Sequence, residues 1–398
     1  MILDTPFPPD IRVEKEARTL VRNGYEVHLL CVGEKDEIEA IGDIYVHRLA
    51  IDKSSFYRRL KHTKPLLNIF HITFWKKKVL ELHRKENFSV IHAHDLSTAP
   101  YALLAGKNAH IPVILDLHEN YPEAQKAYRL NNNLRNSAKT KISYWLDRLI
   151  EKICIKNAFQ VIVVAEERKN QLISQHFSES KISILSNTVD INYISKNPVN
   201  FKLLKRYKGK FLITYIGGFG AHRGIETLIK SVALVKNKAC DFLLLLLGGR
   251  PSEVKKFKAF CRSLGVENAV EFTGWTNFDQ VPSYIYISRI CVIPHVKSGH
   301  TDTTVPHKLF QYMLFEKPVI ATDCLPLKRI IQECACGIVV KSGDPASFAE
   351  AILSLYSSPR LLEKMGHNGK IAVMSKYNWE KNEQTLLKIY QRALALFL

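Results

Sequence analysis

Two spacings of apolar residues take turns along this chain. Short, largely apolar runs fall at 2–5, 25–32 (YEVHLLCV), 44–50 (IYVHRLA), 89–94, 112–118 (PVILDLH), 159–165 and 182–185. Strands apolar on both sides are what a parallel sheet requires when helices cover both of its faces. The gaps carry apolar residues at three- and four-residue spacing, which predicts helices over 13–23, 66–86, 97–107, 137–157 and 166–176. A polar, basic stretch, 192–210, interrupts the alternation and reads as a linker. The alternation then resumes, with strands predicted at 211–217, 241–248, 269–274, 289–294, 318–322 and 337–341 and helices at 224–236, 252–264 and 346–356. The fold class expected is therefore α/β: two doubly wound, Rossmann-like domains in tandem, over 1–195 and 196–378. A last helix, 379–398, follows the second series and is expected to pack back on the first domain.

Residues 299–323, GHTDTTVPHKLFQYMLFEKPVIATD, carry the most chemistry. A polar loop reaches Val305, and Pro306, with its fixed φ and no N–H, suits the first turn of a helix. Leu309, Phe310, Met313 and Leu314 give that helix an apolar face, and Lys317 and Pro318 end it before a short buried strand. A helix start beside strand ends is an anion site by its free amides and its dipole. Pro306 donates nothing, so Thr304, Val305 and His307 are expected to supply those hydrogen bonds, with the Lys308 ammonium as a point charge. The plainer alternative is an ordinary capped helix.

Charge sharpens this picture. The chain of 398 residues carries 57 Lys and Arg against 38 Asp and Glu, a net charge of +19, and so calls for anionic partners. The most basic stretch, 53–85, holds ten Lys or Arg and one acid, Glu81, among aromatic residues that include Phe70, Phe74 and Trp75. Such a segment is expected at an anionic membrane surface, the alternative being a solvated face over a core-packed stripe. Nucleic acid is not expected, because the zinc-finger, helix-turn-helix and RNA-binding signatures are missing. Apolar runs are too short to span a bilayer, and the amino terminus carries acid and prolines rather than a basic and then apolar segment, so no signal peptide is expected. The eight cysteines are scattered without a CxxC pair. They read as buried thiols of a cytoplasmic protein, peripheral on the inner face of the membrane if 53–85 binds there.

After strand 211–217 comes GGFGAHRG, whose glycines Gly217 and Gly218 let a diphosphate approach the backbone and whose Arg223 can give it two hydrogen bonds. The spacing is not GxGxxG, so as a dinucleotide fingerprint it is weak. Loops at strand ends of one sheet converge on one crevice. Arg223 and the helix after Pro306 are thus expected to hold the same diphosphate.

Taken in order, these stretches resemble the retaining glycosyltransferases of family 4, with their two-domain glycosyltransferase B-type fold. The likeness runs through FPPDIRVEKEARTLVRNGYEVHLL, VIHAHD, DLHE, ILSNTVD, GGFGAHRGIETLI, VEFTGW, the Pro306–Asp323 stretch and GDPASFAEAI. It implies two domains facing across a cleft, a nucleotide diphosphate sugar as donor substrate with no separate cofactor, and a glycan or lipid-linked acceptor. It further implies that Arg223 meets the donor diphosphate, Trp275 the nucleotide base and His118 the transferred sugar. It implies that the loop after the first strand, Pro8 to Arg12, lies against donor phosphate and acceptor, with Pro9 and Asp10 expected on the acceptor side, as is the strand-end pair His94 and Asp95. Asn187 ends a strand, where acceptor contact and a local cap are equally good readings.

The sequence departs from the family at informative places. Two glutamates separated by seven residues are usual there, and here those positions are Thr303 and Gln311. Gln311 can still bond a ribose hydroxyl as a neutral amide. Thr303 is short and uncharged, which leaves either Asp302 or His300 to face the sugar. An arginine usual five positions before Arg223 is Gly218, which makes Lys308 its candidate substitute. The strand-end loops carry no Asp-x-Asp pair, so no essential metal is expected. Two other functions share the architecture: a nucleotide-sugar epimerase, and a non-catalytic anion- and membrane-binding protein with a degenerate donor site.

Overall fold

The computed structural model describes residues 1–50, 68–128, 138–194, 200–236, 238–239 and 241–395. The described residues within 1–126, 134–186 and 382–395 form one compact unit, and those within 127–133 and 187–381 form another.

The first unit is built on an eight-stranded sheet, ordered β3-β4-β2-β1-β5-β6-β7-β8. Its strands are β1 Ile2–Pro6, β2 Val27–Gly33, β3 Glu37–Ile41, β4 Ile44–Ala50, β5 Ile91–His94, β6 Val113–Leu117, β7 Gln160–Val163 and β8 Ile182–Ile184. All neighbours are parallel except β3 with β4, a hairpin that adds an antiparallel edge. The sequence reading missed β3. Its residues EIEAI are largely exposed, so the apolar run that marks a covered strand is lacking. Helix Ile11–Arg22 starts two residues earlier than the spacing predicts, because the Asp10 carboxylate accepts from Arg12 N and Val13 N, each at 3.0 Å. Helix Tyr121–Tyr128 was also unread.

The basic stretch 53–85 divides in two. Residues 53–67 lie outside the described residues. The remainder forms helix Ile69–Glu86, capped by Asn68. Its Trp75 is fully buried and stacks on Tyr101, with ring centroids 5.5 Å apart, so this aromatic belongs to the core, whereas Ile69 and Phe70 are exposed. Among the described residues no helix is long and apolar enough to cross a membrane.

The second unit holds a six-stranded, all-parallel sheet ordered β11-β10-β9-β12-β13-β14. The strands are β9 Phe211–Ile216, β10 Phe242–Leu247, β11 Val270–Gly274, β12 Ile290–Ile293, β13 Val319–Thr322 and β14 Gly337–Val340. Helix Ile225–Val235 buries Ile225, Leu228, Ile229 and Val232 against one face. Helix His307–Leu314 buries Leu309, Phe310 and Met313 in a separate cluster with Cys291, Ile293 and Val319. The stretch expected to be a linker is partly core: in helix Phe201–Arg206 and just after it, Leu203 and Tyr207 pack against Leu212 and Leu245. Its lysines and arginines face water, which is why it reads as a linker.

Each sheet reverses its order of winding once, between β1 and β5 in the first and between β9 and β12 in the second. Ligands of open α/β sheets bind at the carboxyl ends of the strands flanking such a reversal.

Candidate active site

In the second unit the loops after β9 and β12 are interlocked. Gly224 (φ +68°) closes the first loop, and a Cβ there would lie 1.8 Å from the Pro294 carbonyl, so only glycine fits. Val296 N donates to the His222 carbonyl at 2.9 Å, which ties the loops a second time. The Arg223 side chain thereby meets His295, Nη1 donating to Nε2 at 3.0 Å. Burial, reinforced by Arg223, keeps the His295 ring neutral and able to accept.

Lys308 enters the same place from the second residue of helix His307–Leu314. Its Nζ lies 4.1 Å above the Tyr215 ring and so close to Gly217 that a Cβ there would be 2.9 Å away. The ammonium is buried and has no hydrogen-bond partner among the described residues, and the Thr304 hydroxyl is in the same condition. Burial, and secondarily Arg223, push the Lys308 pKa well below its ordinary value. His222 falls to about 3 and His300 to about 4, chiefly through burial and then through Arg223. The Arg223 guanidinium, the Lys308 amine and three neutral histidines thus collect at the reversal point, and among the described residues no ion pair reaches Arg223 or Lys308. A group carrying negative charge is what this arrangement lacks.

Pro306 is not in the first helical turn, as the sequence suggested. It is the extended N-cap (φ −80°, ψ 143°), and His307 opens the helix. Val305 and Thr304 precede that cap. The buried Val305 carbonyl accepts from Asn187 Nδ2 at 2.9 Å, which places Asn187 in the second unit rather than among the acceptor-side residues of the first.

The first unit brings together a denser set. Arg12 forks onto Asp116, Nε to Oδ2 and Nη2 to Oδ1, both at 2.8 Å, and Nη1 donates to the Leu185 carbonyl. His118, just past the end of β6, has Nε2 3.1 Å from Asp116 Oδ2 and Nδ1 3.3 Å from Asp95 Oδ2. Burial disfavours its charged form, but the two carboxylates outweigh that and raise the His118 pKa to about 10. His94 lies behind it, Nδ1 3.1 Å from His118 Nε2, and burial lowers its pKa to about 4. Asp95 occupies the left-handed region (φ +66°) and also accepts from the His118 backbone N–H. Asp10 is engaged as the helix cap described above, beside Pro9. One donor atom each from Glu16, His92, His94 and Asp116 lies within 4.8 Å of the others, a set that could hold a metal ion. Arg12 Nε is already 3.2 Å from Glu16 and bonded to Asp116, so the cation of this cluster is the guanidinium.

Comparison with known proteins decides the family. The profile described as glycosyl transferases group 1 matches residues 197–372, and that of glycosyltransferase family 4 matches residues 11–193. The chain belongs to these glycosyltransferases. An uncharacterized glycosyltransferase of Methanocaldococcus jannaschii is 22% identical over 334 residues, 82% of this chain and 81% of that one. The capsular polysaccharide biosynthesis glycosyltransferase CapM of Staphylococcus aureus is 25% identical over 263 residues, 60% of this chain and 64% of CapM. Among solved structures, Anabaena HepE in complex with UDP-glucose superposes with a TM-score of 0.71 at 15% identity, covering 98% of each chain. The transferase therefore has the two-domain B-type fold.

In the transferase, the positions of the missing glutamates have other partners. Thr303 Oγ1 donates to the Gly299 carbonyl at 2.6 Å and so braces the loop. Asp302, one of two residues considered for the sugar, accepts from Leu325 N at 2.9 Å and caps helix Leu325–Cys334. His300 and Gln311 are buried. Gly218 leaves open space where a side chain would stand, and Trp275, past the end of β11, is 70% exposed. Sequence reasoning missed His222 and His295, which carried a usable signal, since one adjoins Arg223 and the other follows a predicted strand end. It placed Arg12 in the loop after the first strand but did not foresee its fork onto Asp116; only the charged Asp116 inside the apolar run VILDL hinted that a buried cation was needed.

Proposed function

We propose that the transferase moves a sugar from a nucleotide diphosphate sugar to an acceptor hydroxyl with retention at the anomeric carbon, and that it does so without a metal. One observation carries this reading: half-buried Arg223 and the buried Lys308 amine stand at the reversal point of the second sheet with no ion pair to a carboxylate among the described residues. As the bond from the anomeric carbon to the phosphate oxygen breaks, negative charge grows on the diphosphate. Arg223, Lys308 and the helix start at His307 are disposed to stabilise it. The acceptor oxygen bonds to that carbon on the same face, and its proton passes to the leaving phosphate oxygen. No carboxylate pair is available there for a double displacement.

In this reading residues 196–378 hold the donor, with Gln311 at the ribose, Trp275 at the base and the backbone of Gly217 and Gly218 against the phosphates. Residues 1–195, with the returning helix Trp379–Leu394, hold the acceptor through Pro9, Asp10 and Asp95, while buried His94 backs His118. Both ring nitrogens of His118 are engaged by carboxylates, so its backbone carbonyl and ring edge remain to orient the sugar. HepE was crystallised with UDP-glucose, which makes UDP-sugars the first donors to try. The likeness to CapM supports an acceptor in polysaccharide or lipid-linked glycan assembly at the cytoplasmic membrane face, with residues 53–85 contributing membrane contact.

A thermal-shift and turnover screen against UDP-, GDP- and ADP-sugars tests this, with Arg223→Ala as control. Stabilisation by one nucleotide, lost in the variant and joined by acceptor-dependent turnover that survives EDTA, is the expected result. Change of the donor sugar without any acceptor would indicate an epimerase, and binding by none would overturn the donor site.

A further inference from the structure

Helix Ala138–Asn157 of the first unit is apolar on two sides. Its inward face buries Cys154 and Ile155 in the core together with Ser143, Asp147 and Glu151, the last ion-paired with Arg168. Large apolar side chains also stand in water: Ile142 (60% exposed), Trp145 (66%), Leu149 (54%) and Ile153 (52%). Their three- and four-residue spacing makes them one stripe. The core does not need this second face, and a contiguous exposed apolar face marks an interaction site.

Charge identifies the partner. Lys141, Lys152 and Lys156 are the other exposed side chains along the same arc, apart from Asn157, and no acid stands among them. None of the three has an ion pair among the described residues. Beside the stripe, a groove of about 790 Å³ opens between this helix and helix Ala99–Ala109, lined by Pro100, Leu103, Leu104 and Ile153 with Lys107 at its rim. A second copy of this chain, related by a twofold axis, would press like-charged lysines together. An anionic bilayer satisfies both features: the apolar side chains enter the acyl region, Trp145 sits at the headgroup level, and the lysine stems reach out to lipid phosphates.

We infer that helix Ala138–Asn157, with the groove beside it, is a docking surface for an anionic lipid bilayer. The inference is independent of the donor site, and it names a surface distinct from residues 53–85.

Flotation of the full chain with phosphatidylglycerol/phosphatidylcholine vesicles and with pure phosphatidylcholine vesicles tests it, at low and high salt. Binding to the anionic vesicles, weakened by salt, with a blue shift of tryptophan emission that Trp145→Phe removes, is the expected outcome. Trp145→Ser/Leu149→Ser should abolish flotation. Lys141→Glu/Lys152→Glu/Lys156→Glu, changing only exposed side chains, should keep the native melting temperature and weaken binding roughly a hundredfold. The proposal is overturned if the chain ignores both vesicle types, if both variants float like the native chain, or if sedimentation shows a dimer that Trp145→Ser/Leu149→Ser dissociates.

Discussion

The two clusters of buried charge differ in one respect. In the first unit every strong charge has its opposite: Arg12 is held by Asp116, and His118 lies between Asp116 and Asp95. In the second, Arg223 leans on a neutral histidine and Lys308 on the face of a tyrosine. Burying a charge is costly unless it is paired, and breaking a pair costs more than never having made it. The first cluster is therefore complete within the folded unit and contributes to its stability. The second lacks an opposite charge, and under the proposed function a donor diphosphate would supply it, so that the cost would be recovered as affinity.

The largest test of this difference is Asp116→Asn. It strips the charge opposite Arg12 and His118 and should lower unfolding stability by about 3–5 kcal/mol. Urea melts measure it, and a loss below about 1 kcal/mol would mean that the first cluster is not charge-paired in solution.

Lys308→Met should do the opposite. Stability does not fall, because an unpaired buried ammonium is removed, while binding of a nucleoside diphosphate weakens by about 1.5–3 kcal/mol. Calorimetry should also show native protein taking up protons on binding, as the anion raises the depressed Lys308 pKa. That uptake should vanish in the variant.

The smallest effect is one of pH. His118 has its pKa raised from 6.5 to about 10 in the folded state. Its stabilising contribution is thus full below about pH 6.5 and is lost as pH rises through 10. Glu16, raised to about 8 by burial and then by Asp116, acts with the same sign at lower pH. Between pH 8 and 10 the melting temperature should fall, and His118→Gln should flatten that decline.

Much of the fold was legible because covered parallel strands announce themselves as apolar runs. Among the described residues, thirteen of fourteen strands lie on runs read from the sequence alone. The exception, β3, is a solvent-facing edge whose order comes from pairing with β4, and pairing leaves no local mark. The same holds within the sites. Arg223 and Lys308 stood out because glycines and a proline frame them. Arg12 did not, since its partner Asp116 lies 104 positions away and only the folded sheet brings the two together. Trp75 misled for a related reason: a large aromatic among lysines looks the same whether it faces lipid or the core.

The loop 299–303 also bears on how such a transferase can diverge. It is pinned by Thr303 to Gly299, by Thr301 to Val296 and by Asp302 to helix Leu325–Cys334. An inserted or deleted residue would break several of these bonds at once, whereas exchanging His300 need break none of them. New preferences in this lineage should therefore arise by substitution within a loop of constant length, and relatives that differ in that length should have rebuilt the cap of helix Leu325–Cys334 as well.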